Sequence, residues 1–132
     1  MSISDRNDPA CDFDRWIADE FASTGAFTAL VILVEIAGAA VTPLCSTYLN
    51  VIGDETDWSE MTVLFAGAGA QWSGAAFFPI TARDGGPVDN PTARLALQQL
   101  QARLDESRLI LNEGHFFDSW GRRLKIEEAE LQ

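Results

Sequence analysis

Phe27-Thr-Ala-Leu-Val-Ile-Leu-Val-Glu-Ile36 is the stretch on which the fold turns. Only Thr28 and Glu35 are polar in a run that is otherwise apolar and rich in β-branched residues. A strand with one wet face alternates polar and apolar positions. A strand apolar at both parities is a central one, covered above and below. Gly38 permits a turn, and residues 44–52 read as a second strand, with Pro43 at its start, where proline is tolerated. Residues 26–52 are also long enough to span a bilayer. However, Glu35, Pro43, Ser46, Thr47 and Asn50 lie inside the stretch, and no Lys or Arg stands between Arg15 and Arg83 to anchor it. Two buried strands explain the segment better than a membrane span.

Toward the N-terminus, residues 1–11 are polar and acidic and read as a flexible lead-in without the features of a signal peptide. Asp12 is the expected cap of a helix over 12–24. Phe13, Ile17 and Phe21 stack on one of its faces beside Trp16, and Gly25 is its expected stop.

Toward the C-terminus, residues 53–60 read as an acidic loop and 61–65 as a third strand. Residues 66–70 supply small residues for a hairpin turn, and 71–81 read as a fourth strand. After a loop at 83–89, Asn90 and Pro91 open a second helix as N-cap and N1. It runs over 91–106 with Ala93, Leu97, Leu100 and Leu104 as its apolar row. Residues 108–112 are a short apolar run. Residues 115–118 and 123–128 flank a turn and suggest a final hairpin. The expected fold is α+β: an antiparallel sheet of four to six strands with both helices packed on it, forming one domain over 12–132.

Nine Lys+Arg against twenty Asp+Glu give a formal charge of −11 on 132 residues. The imbalance argues against direct nucleic-acid binding and against an anionic membrane surface. It is also uneven. Residues 1–60 hold eleven acids and two arginines, whereas 61–132 hold nine acids and seven bases. Cys11 and Cys45 form neither a disulfide framework nor a metal motif, so two reduced thiols in a cytoplasmic protein are expected.

No motif announces chemistry. Gly67, Gly69 and Gly74 follow the expected third strand, but the Gly-Lys-Ser/Thr of a phosphate loop is missing. Ser73 does not sit in a nucleophile elbow. Asp54, Glu55, Asp57 and Glu60 lack the order of a calcium loop, and one His with two distant Cys falls short of a zinc site. No metal or other cofactor is therefore expected.

Three functional readings follow from the residues. The first is a non-enzymatic binding or accessory module that engages a basic protein partner. Its surface would be Asp54, Glu55, Asp57, Trp58 and Glu60, an aromatic ringed by acids; the same loop can instead fold Trp58 back onto the core. A sharper form of this reading is a mimic of nucleic-acid charge in a basic groove. The second is a small acid/base enzyme or ligand-binding protein centred on His115, with Glu113, Asp118 and Arg122 positioning it or its substrate. In an extended 115–118, Asp118 would point away from His115 and Glu113 toward it. The third is a structural subunit of a larger assembly, self-associating or adding a strand at an exposed sheet edge.

Overall fold

In the computed structural model, which describes residues 11–126 apart from Asp54 and Ala70, the expected central strand is central. Strand β1 (Phe27–Ala37) pairs antiparallel with β2 (Ala40–Val51) on one side and with β3 (Gly74–Ile80) on the other. Strand β4 (His115–Asp118) pairs antiparallel with β3. The sheet order is β2-β1-β3-β4, so the fold is α+β with four strands.

Because β1 alternates, it feeds two cores. Phe27, Ala29, Val31 and Leu33 turn to one face, where they meet helix α1 (Asp12–Thr24) and helix α2 (Trp58–Ala66). Leu30, Ile32 and Val34 turn to the other. There they meet helix α3 (Asn90–Glu106), the 3-10 helix Arg108–Glu113, and Ile126 from the C-terminal segment. Both parities of β1 are thus buried, as its composition requires. The first core is aromatic: Phe13 lies within 5.6 Å of the Trp16, Trp58, Phe77 and Phe117 ring centroids. Thr28 is the sole buried polar residue among those described. Its hydroxyl donates to Asn50 Oδ1 (2.8 Å) and accepts from the Val88 N–H (3.0 Å), so burial leaves none of its polar capacity stranded.

Several elements differ from the sequence expectation. Residues 61–65 are helix, not strand. Asp57 caps α2 by accepting from the Glu60 N–H (2.9 Å), and Trp58, Met61 and Phe65 then fall on one buried stripe. Residues 66–69 of the expected hairpin turn consequently end a helix instead, and Ala70 lies outside the described residues. Cys11, not Asp12, occupies the N-cap of α1. Asp12 instead accepts from the Arg123 N–H (2.8 Å) and from Arg15 (2.5 Å). Asp89, not Asn90, caps α3, accepting from the Thr92 N–H (2.8 Å). Residues 108–112 belong to the 3-10 helix. Pro43 lies within β2, at a bulge opposite Leu33 and Val34. Among the described residues, a single bridge, Phe117 with Arg123, stands where a final hairpin strand is expected. Residues 127–128 of that expected strand, and residues 1–10 of the expected lead-in, lie outside the described residues. Finally, β2 is not buried: it is the sheet's edge, and most of its residues are exposed or half-buried. No helix among the described residues is long and apolar enough to cross a membrane.

Candidate functional site

His115 is half-buried at the start of β4, its ring stacked on Trp16 with centroids 4.5 Å apart and planes 24° off parallel. Its Nδ1 lies 3.2 Å from an Arg123 Nη. Guanidinium can only donate, so Nδ1 accepts and the ring's proton sits on Nε2. Burial holds the imidazole below its ordinary pKa, and the Arg123 charge lowers it further, against a smaller upward pull from Glu20. The other residues of the expected acid/base group are elsewhere. Glu113 pairs with Arg103 at 2.6 Å. Asp118 points to the opposite face, as the extended geometry requires. Its Oδ1 accepts from the Trp120 and Arg122 N–H groups, and its Oδ2 from Arg122 Nε at 2.8 Å. Glu113, Asp118 and Arg122 therefore do not converge on His115. The partner that does, Arg123, carries no local sequence signal.

The neutral imidazole has a thermodynamic consequence. Its folded pKa is depressed, so the stability it permits is fully present above the unfolded value of about 6.5. As pH falls below that value the unfolded chain takes up a proton that the folded chain resists, and stability is lost until the folded pKa is passed. Denaturant melts are expected to show this slope as pH falls below about 6.5, and His115→Gln is expected to flatten it. An unchanged slope in the variant would assign the pH dependence to another group.

The acidic loop is divided by its own helix cap. Glu55, Asp57 and Glu60 are exposed, while Asp54 lies outside the described residues. Trp58 is not exposed: it keeps 7% of its surface and packs in the aromatic core. Its backbone N–H donates to Asp14 Oδ1 (2.8 Å), and its indole N–H donates to the Ser119 carbonyl (3.1 Å). Trp58 is thus a core residue, and of the two readings of this loop the surface hot spot is corrected to the one that folds Trp58 back onto the core. No cluster of three metal-ligating side chains occurs among the described residues.

The sheet's two edges are built differently. The outer side of β4 is covered by the returning chain: the Asp118 N–H donates to the Arg122 carbonyl (2.8 Å), and the Leu124 N–H donates to the Phe116 carbonyl (2.8 Å). Among the described residues, the outer side of β2 has no such cover over most of its length. The Val34 carbonyl and the Ile36 N–H both turn toward Ser73, on the β3 side. Alternation then turns Leu33, Val31, Ala29 and Phe27 toward β2, where they face Cys45, Thr47, Leu49 and Val51. The backbone groups of Ser46, Tyr48 and Asn50 therefore point outward. Farther along, the Val41 carbonyl accepts from Arg108 Nε (2.9 Å), and Pro43 has no N–H to offer.

A groove runs along each face of this edge. One, of about 230 Å³, lies between β2 and α3 and includes Pro43, Leu44, Gln101 and Asp105. The other, of about 590 Å³, lies between β2 and the end of α2 and includes Thr47, Leu49, Leu64 and Phe65. Cys45 and Ser46 border both. Leu44 and Leu64 stay exposed at their rims. No charged residue occurs between Glu35 and Asp54. The sequence signal for this site was the absence of charge from a strand that also contains a proline. Neither a protein-family model, a curated protein nor a solved structure matches the chain.

Proposed function

We propose that this protein is a non-enzymatic binding or assembly module whose working surface is the outer edge of β2. The observation that carries the reading is the contrast between the two sheet edges. One is covered by the chain itself, while the other leaves the outward backbone groups of Ser46, Tyr48 and Asn50 between two grooves, with no charge along the strand. Edge strands without lysine, burial or cover are templates for strand addition. In that mode backbone hydrogen bonds supply affinity, and the flanking pockets select side chains.

Ser46→Pro tests the edge. Proline at an outward position removes one free N–H and leaves the β1 ladder intact. Tagged protein in its own cells is expected to lose most of its captured partners, untagged copies of itself included, on this change. Asp57→Asn with Glu60→Gln is expected to leave capture intact, since asparagine can still cap α2. Capture that survives Ser46→Pro in a folded variant removes the edge from consideration.

A second reading rests on the acidic side chains. Glu55, Asp57 and Glu60 are exposed and enter no ion pair among the described residues, which supports long-range attraction of a basic protein partner. Such binding would weaken steeply with salt and with Asp57→Asn/Glu60→Gln, the reverse of the pattern expected for the edge.

A further inference from the structure

We infer that the occupant of the β2 edge is a second copy of this chain, paired antiparallel about a two-fold axis at Tyr48 so that two four-stranded sheets become one. The inference rests on the edge reading above and names its partner.

Charge is the first argument. At −11, this chain repels its own copies over most approaches. The segment between Glu35 and Asp54 is free of charge, and the grooves beside it contribute a single acid, Asp105. A copy can dock here without facing a row of like charges. A basic partner, by contrast, would find no row of counter-charges along this strand.

Symmetry is the second argument. A two-fold interface needs a patch that is complementary to itself. The usable edge is bounded by Pro43 and the bulge on one side and by Gly53, beyond the end of β2, on the other. The regular ladder between them is Cys45–Val51, and its middle residue is Tyr48. The outward residues Ser46, Tyr48 and Asn50 are symmetric about the same point. Centred there, Tyr48 faces Tyr48 of the second copy, and Ser46 faces Asn50 of the second copy. Each such pair exchanges two backbone bonds, about six in all. On the α2 side, Thr47 comes opposite Leu49 of the second copy, and the rims at Leu44 and Leu64 are brought toward the junction.

Sedimentation velocity over a concentration series tests the pairing, together with hydrogen exchange at single amides. The wild-type chain is expected to pass from monomer to dimer, and the Tyr48 amide to exchange at least tenfold more slowly in the dimer. Thr47→Lys places like charges near the axis and is expected to raise the dissociation constant at least tenfold, with its melting temperature unchanged at concentrations where both proteins are monomeric. In a Cys45→Ser background, Tyr48→Cys is expected to cross-link two copies under mild oxidation, and Thr42→Cys, far from the axis, is not. A strict monomer at every concentration overturns the second copy as partner. If capture of other proteins in that case still depends on Ser46, the edge reading stands without it. A dimer that Thr47→Lys leaves intact, with no protection at Tyr48, also overturns the inference. Indifference of all capture to Ser46→Pro overturns the edge reading and the inference together.

Discussion

Trp58→Ala is expected to cost about 3–5 kcal/mol of folding stability, the usual range for removing a buried tryptophan side chain. Its ring meets those of Phe13, Phe65, Trp72, Phe77 and Phe117 at centroid distances from 5.0 to 6.4 Å. It therefore joins the α1, α2, β3 and β4 contributions to the first core. Collapse around the deletion is limited, because its neighbours are rigid rings. The Ser119 carbonyl also loses the indole N–H. Trp58→Phe separates the two effects: most of the apolar contact is kept, so about 1–2 kcal/mol is expected from the hydrogen bond and the smaller ring. Denaturant titration of the three proteins measures both steps. If the alanine variant melts like the wild type, the aromatic core is not built around this ring.

The same residue shows where the sequence was legible and where it was not. Strand β1 could be read because nothing local competes with its signal: a run apolar at both parities has to be covered on both sides. Helix α1, with its Phe13–Ile17–Phe21 row and its Gly25 stop, was also legible. Met61–Phe65 was misread because Thr62 and Val63 favour strand, and the helix they join is too short for periodicity to stand out. The signal that would have corrected it is the start of that helix. Asp57 and Glu60 have the spacing of a capping box, and Trp58, Met61 and Phe65 follow at helical intervals. Once α2 is a helix, Trp58 has to face inward.

The edge character of β2 was hidden for a different reason. Composition says what a strand can tolerate, not which neighbours it acquires, and an uncharged strand reads as buried. Pro43 spoke against a central position, as did the polar Ser46, Thr47 and Asn50. Likewise, no local pattern links His115 to Arg123 or Asp12 to the Arg123 amide, because chain return sets those contacts. Pairings of that kind decide which carboxylates and imidazoles share a site. They explain why the group proposed from proximity in sequence, His115 with Glu113, Asp118 and Arg122, is dispersed in space.

Gly121→Ala is expected to cost about 2–4 kcal/mol, from two terms that can be measured apart. Gly121 sits at φ +78, where an L side chain is strained. A Cβ there would also lie 2.8 Å from Cys11 Sγ and 3.0 Å from the Trp58 ring. The backbone has little room to yield. The Gly121 carbonyl accepts from the Phe13 N–H (3.0 Å) and its own N–H donates to the Asp118 carbonyl (3.0 Å), so the turn is tied to both α1 and β4. Removing the Trp58 ring frees one side of the collision but leaves both the positive φ and the sulfur. A double-mutant cycle with Trp58→Ala is therefore expected to be non-additive, with the glycine substitution costing less in the alanine background by about 1 kcal/mol and not falling to zero. Strict additivity would place the whole penalty in backbone strain and Cys11. A complete loss of the penalty would place it in the Trp58 contact and leave the positive φ without energetic weight.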